Sequence, residues 1–193
     1  MFRSRLAPAA AVIGILLLAG CAPTPEPSST PSAAASENDG ASAEPTVSTE
    51  SAIANVPTDC AAVGTAESRA DTVDQLTLQG DGVGFERPVP EGATLLLGCD
   101  WIAGDTTGLL LLISEVDPAA AEAYVATLPD QGYTCVTGDA GNPVCQMVTP
   151  SSEYPVDTVE TITSREDIWI YSSSTNLDAD MLLSDLNQQI WAN

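Results

Sequence analysis

The sequence predicts an α+β domain, an antiparallel sheet with helices on one face. Three observations point there. Apolar strand-length segments come in neighbouring pairs separated by turn residues, two such pairs are each followed by a helical stretch, and two of the four later cysteines, Cys99 and Cys145, lie on strand segments.

The first pair is 95–102 and 109–116, divided by a turn region holding Gly104, Asp105 and Gly108. Asp117-Pro118 then starts a helix, with Asp as N-cap and Pro at the first helical position, and Pro129 with Gly132 ends it. Within it Ala120, Tyr124 and Leu128 recur every fourth residue. A strand opens over 145–149, and 156–163 with 168–173 form a hairpin of β-branched and aromatic residues around Ser164-Arg165-Glu166-Asp167. Asp178 caps a last helix, which places Leu182, Leu186 and Ile190 on one face beside Leu183. Cys99-Asp100-Trp101 is echoed by Cys145-Gln146-Met147. Strands followed by a helix, twice over, predict a duplicated ββα unit.

The whole chain has 193 residues, with 27 acids against five arginines, no lysine and no histidine, a net charge of −22. Without His there is no Ser-His-Asp or Cys-His triad and no His-ligated zinc. Without Lys there is no Schiff-base nucleophile. So few cations on so acidic a chain exclude the basic patch that nucleic acid demands. The acidity itself serves either to keep the domain soluble and away from anionic lipid and wall polymer, or to suit a salty habitat.

Residues 1–20 read as a secretory signal: Arg3 and Arg5, then an apolar stretch from Leu6 to Ala19 that, at about 15 residues, is short of the ~20 a membrane span needs. Its end, Leu18-Ala19-Gly20-Cys21, resembles the lipobox of bacterial lipoproteins. That resemblance implies that the Cys21 thiol carries a diacylglycerol and, with its further acyl chain such as palmitate, becomes the first residue of the mature chain. Two signals or chains suffice for stable anchoring where one does not. The expected location is therefore the extracytoplasmic face of the cell membrane.

Residues 21–56 carry the lipidated Cys and then a tether of Ala, Pro, Ser, Thr and Glu without aromatics, too polar to bury a core. The expected domain is 57–193, with three arginines against 22 acids and four cysteines, Cys60, Cys99, Cys135 and Cys145. An even number in an exported chain favours two disulfides, for which three connectivities exist. Cys135 and Cys145 flank the turn-rich 138–143, which favours Cys135 with Cys145 and Cys60 with Cys99. The order Cys60, Cys99-x-Trp101 and a Pro-started helix also resembles small disulfide-containing lipoproteins of unassigned role from high-GC Gram-positive bacteria.

Candidate sites are few. Asn176, Asp178 and Asp180 alternate like the first ligands of a calcium loop, but Met181 and Asn187 stand where Gly and Glu are required, and helix capping accounts for the carboxylates. Gly80-Asp81-Gly82-Val83-Gly84 lacks dinucleotide-binding spacing and reads as a turn. No metal or cofactor is expected. Trp101, Trp169 and Tyr171 are candidate ligand or partner contacts, with core packing as their ordinary role. Arg69, Arg87 and Arg165 are expected to pair with neighbouring acids: Glu67 or Asp71, Glu86, and Glu166 or Asp167.

The functional expectation is a non-catalytic binding or accessory module of the cell envelope, anchored to the membrane by lipid and meeting an envelope protein or cell-wall component. The alternative is a small-ligand binder with a pocket between sheet and helices. An acid-pair hydrolase stands last, because any two of 22 carboxylates might meet in a cleft.

Overall fold

The computed structural model describes residues 52–191, so the signal, Cys21 and the tether up to residue 51 lie outside the described residues. Strands β1 (Thr77–Gly80), β2 (Thr94–Ala103) and β3 (Thr107–Glu115) form one antiparallel meander, and β4 (Thr134–Thr137), β5 (Pro143–Pro150), β6 (Asp157–Arg165) and β7 (Ile168–Thr175) form another. The two join where β3 pairs antiparallel with β7, giving the order β1-β2-β3-β7-β6-β5-β4. Three helices accompany the sheet: α1 (Ala66–Asp71), α2 (Pro118–Val125) and α3 (Asp180–Trp191). The fold is thus α+β with an antiparallel sheet.

The helices do not share one face. Leu182, Leu186 and Ile190 of α3 pack with Leu109, Leu111 and Ile113 of β3 and with Ile168 and Ile170 of β7. Ala121 and Tyr124 of α2 pack instead with Leu112, Trp169, Tyr171 and Ile162, the alternate positions of the same strands. Side chains alternate across a strand, so these two sets lie on opposite faces. The expectation of helices on a single face fails because β3 is apolar on both sides. Its unbroken run from Leu109 to Ile113 marks a strand covered twice, as central strands of two-sided sheets are.

The duplicated ββα unit is corrected for the same reason. Strand-strand-helix does recur as β2-β3-α2 and β6-β7-α3. A rotation that exchanges antiparallel β3 and β7 must run along the sheet normal, and such a rotation keeps each helix on its own face. With α2 and α3 on opposite faces, the halves repeat in order but not as superposable units.

Local chemistry fixes the helix ends. Asp117 accepts a hydrogen bond from Ala120 N at 2.9 Å ahead of Pro118, and Gly132 at φ 100° turns the chain towards β4. Asp178 accepts from Asp180 N at 3.0 Å, the capping role expected for it. Thr65 and Ser68 form a capping box on α1, which the composition of this stretch did not signal.

The described residues include regular structure before residue 57. Ala52–Asn55 makes a turn of 3-10 helix, Ala52 is buried against α3, and Asn55 Nδ2 donates to Ile190 O at 3.1 Å. Farther along, Gly64 N donates to Gln189 Oε1 at 3.0 Å and Gln189 Nε2 donates to Ala62 O at 3.0 Å. Thr65 Oγ1 donates to Asp185 Oδ2, and this holds the exposed Asp185 carboxyl below its ordinary range. One polar edge of α3 thereby clamps the whole entry segment.

The disulfides are Cys60–Cys99 and Cys135–Cys145. Cys99 belongs to the α3-side core and Cys145 to the α2-side core, so each face has one bridge. With sequence separations of 39 and 10, the chain-entropy model assigns them about 4 and about 3 kcal/mol respectively.

Residues 81–93 cross the α2 side of β2. There Trp169 Nε1 donates to Pro88 O at 3.1 Å and Arg87 Nη2 to Ser114 Oγ at 3.0 Å. This segment passes so close to β2 that a Cβ on Gly98 would sit 1.9 Å from Asp81 O. Gly98→Ala must push that backbone away, and we expect a loss of about 1–3 kcal/mol, read as a lowered urea midpoint with an unchanged far-UV spectrum.

Candidate functional site

Register across the sheet builds a gradient of polarity on the α3 side. One row runs Leu97, Ile113, Ile170, Thr163, Val144, and the next runs Cys99, Leu111, Ser172, Thr161, Gln146. Both begin apolar on β2 and β3 and turn polar on β6, with Val144 and Gln146 following on β5. Helix α3 packs its leucines where the rows are apolar and leaves the polar ends uncovered. The result is a cleft of about 520 Å³, with the sheet as floor and α3 as wall. That volume lies within the ~300–1,000 Å³ of ordinary small-molecule sites.

The floor is organised by its own hydrogen bonds. Gln146 Nε2 donates to Thr161 Oγ1 at 3.1 Å, Asn142 Nδ2 to Thr163 Oγ1 at 2.6 Å, and Thr163 Oγ1 to Pro143 O at 3.0 Å. The hairpin turn between β4 and β5 thus closes one end. Asp180, Ser184, Asn187, Gln188 and Trp191 form the wall, the face of α3 next to its buried leucines. Arg165 completes the lining, its guanidinium 5.9 Å from the centre of the Trp191 ring and 3.5 Å from Glu166.

Two buried polar atoms of the wall, Asn187 Oδ1 and Trp191 Nε1, have no hydrogen-bond partner among the described residues. Such atoms cost about 1–3 kcal/mol each when left unpaired. Their concentration on one turn of α3 beside a cleft marks a surface not optimised for stability alone.

The aromatics singled out from the sequence are elsewhere. Trp101 is 5 % exposed on the α3 side, and Trp169 and Tyr171 are 0 % and 5 % exposed on the α2 side. As core residues they touch neither solvent nor the cleft, and Trp169 packs edge-on against Tyr124 with ring centres 5.6 Å apart. The aromatic at the cleft is Trp191. A sequence signal for it existed: Asp180, Ser184, Asn187, Gln188 and Trp191 share one helical face, opposite strands whose alternate residues are threonine and glutamine.

The arginine pairings also need correction. Only Arg165 reaches a neighbouring acid among the described residues, at Glu166. Arg69 donates to the carbonyls of Val63 and Gly64, both at 3.1 Å, and Arg87 to Ser114. Each of these two donates to backbone or hydroxyl acceptors. No group of three or more potential metal ligands occurs among the described residues, and no helix there is long and apolar enough to cross a membrane.

A second polar cluster lies on the α2 side. Tyr133 and Tyr171 both donate to Glu160 Oε2, at 2.5 and 3.0 Å. Burial, reinforced by the Glu160 carboxylate, raises both phenols well above their ordinary 10.0. The cluster lashes the chain after α2 to β6 and β7 and presents no cavity of its own. Above a pH of about 10 the unfolded chain loses phenolic protons that the folded protein keeps, so the folded state binds more protons there. Stability should be unaffected by these groups below that pH and fall as pH rises through it. A Tyr133→Phe/Tyr171→Phe variant should flatten that fall, measured as the urea midpoint between about pH 8 and 11.

The chain matches no protein-family profile and no curated protein.

Proposed function

We propose that this chain is a lipid-anchored protein of the extracytoplasmic face of the cell membrane, and that its domain binds a small polar molecule in the cleft between α3 and the sheet. The observation that carries the binding role is the cleft itself: about 520 Å³, preformed, with apolar and hydrogen-bonding side chains on both floor and wall. The Leu18-Ala19-Gly20-Cys21 tetrad supports the anchor, and two disulfides suit an exported domain.

Binding without catalysis fits the lining. Its ionisable groups are Arg165, Asp139 and Asp180, and the two carboxylates are exposed at the rim rather than enclosed in an apolar pocket. An anchored binder captures its ligand close to the membrane, where a partner in that membrane meets the loaded form.

Cys21→Ala should move the full chain, expressed in a bacterium that lipidates its exported proteins, from the detergent phase to the aqueous phase on detergent partitioning. Retention in the detergent phase would overturn the lipid anchor. For the cleft, a panel of envelope metabolites should include at least one that raises the melting temperature of the wild type and fails to raise that of Trp191→Ala. A panel without any such shift would overturn the binding role.

A further inference from the structure

We infer that the cleft takes an uncharged polyhydroxylated ring, a saccharide of mono- or disaccharide size. This inference deepens the binding role proposed above and rests on it.

The hydrogen-bonding inventory is the first reason. The Thr161 hydroxyl and the amides of Gln146, Asn187 and Gln188 bring both donors and acceptors to the cleft, while Thr163 and Ser172 are buried in its floor and Thr163 already donates to Pro143 O. Ligand hydroxyls likewise do both, so mixed lining of this kind suits them. A ligand carrying only donors or only acceptors would leave half of these groups unpaired, at a cost in affinity.

Charge is the second reason. The lining carries one cation and two carboxylates, in a segment from residue 57 onward with three arginines against 22 acids. An anion approaching this cleft is repelled by the field of the whole domain. A cation is drawn by that field and by Asp139 and Asp180, but the Arg165 guanidinium, 5.9 Å from the Trp191 ring centre, opposes it within the cleft. A neutral ligand is opposed by neither.

Amphipathicity is the third. A pyranose has polar edges and faces made of C–H groups, and it needs flat apolar surface next to hydrogen-bonding groups. Trp191, Leu183 and Ile170 give the cleft apolar surface, flanked by the threonine and glutamine rows.

The test is isothermal titration of the full chain, purified in detergent, with an array of uncharged hexose and N-acetylhexosamine mono- and disaccharides. Matched uronic acids, amino sugars and the dipeptides Gly-Gly and Ala-Ala complete the set. Saturable binding of an uncharged saccharide is expected, at least about tenfold tighter than its charged counterparts and weakened about tenfold by Trp191→Ala. Thr161→Val, which keeps the shape of the floor, should weaken it too, with the melting temperature showing that each variant is folded. If a charged sugar or a dipeptide binds best and the same substitutions weaken it, the saccharide assignment falls while the cleft remains a binding site. If nothing binds, or binding ignores both substitutions, both fall.

Discussion

The pairing of β3 with β7 is the constraint on which the other contacts depend. It runs in unbroken register from Gly108 opposite Thr175 to Glu115 opposite Ile168. Each residue along it decides a face: Leu111 and Ile170 look towards α3, Leu112 and Tyr171 towards α2. A slip by one residue would turn Trp169 into the leucine layer and Ile170 into the tyrosine layer. Neither face tolerates that exchange, so two cores specify one register.

From this seam the structure becomes less apolar outward, and unequally. Towards β2 the rows end in Leu97, Cys99 and Trp101, which α3 and the entry segment cover. Towards β5 they end in threonine, valine and glutamine, which no helix covers. The cleft is therefore a consequence of helix placement: α3 follows the apolar half and abandons the polar half. The short outer strand β4 is held to its neighbour by Cys135–Cys145 as well as by its ladder. That bridge steadies the hairpin at the end of the cleft without using a side chain that faces it.

Much of this was legible in the sequence, because period and punctuation were clean. Asp117-Pro118 and the Leu182-Leu186-Ile190 spacing located two helices, and the apolar pairs located β2, β3, β6 and β7. The side on which each helix packs was not legible. A strand buried on both faces shows no alternation, so 109–113 reads as apolar without saying which residue faces which helix. Residues 57–94 gave almost no signal, since α1 and β1 are short and largely exposed, and their order comes from Thr65, Ser68 and a disulfide to a distant strand. The aromatics misled because composition cannot separate a core tryptophan from a contact one. Trp191, at the frayed-looking end of a helix, turned out to be the aromatic beside the cleft.

The three arginines of the described residues have a consequence for resistance to proteolysis. With no lysine anywhere in the chain, they are the positions in this region where a protease selecting basic residues can cut. Arg69, on α1, is held by the carbonyls of Val63 and Gly64 ahead of that helix, Arg87 by the hydroxyl of Ser114, and Arg165 lies at a hairpin end beside Trp191. Such proteases need the side chain and several flanking residues in extended, unpaired form, which costs local unfolding at every one of these places. Trypsin-like enzymes therefore meet a domain with its few recognition points already engaged.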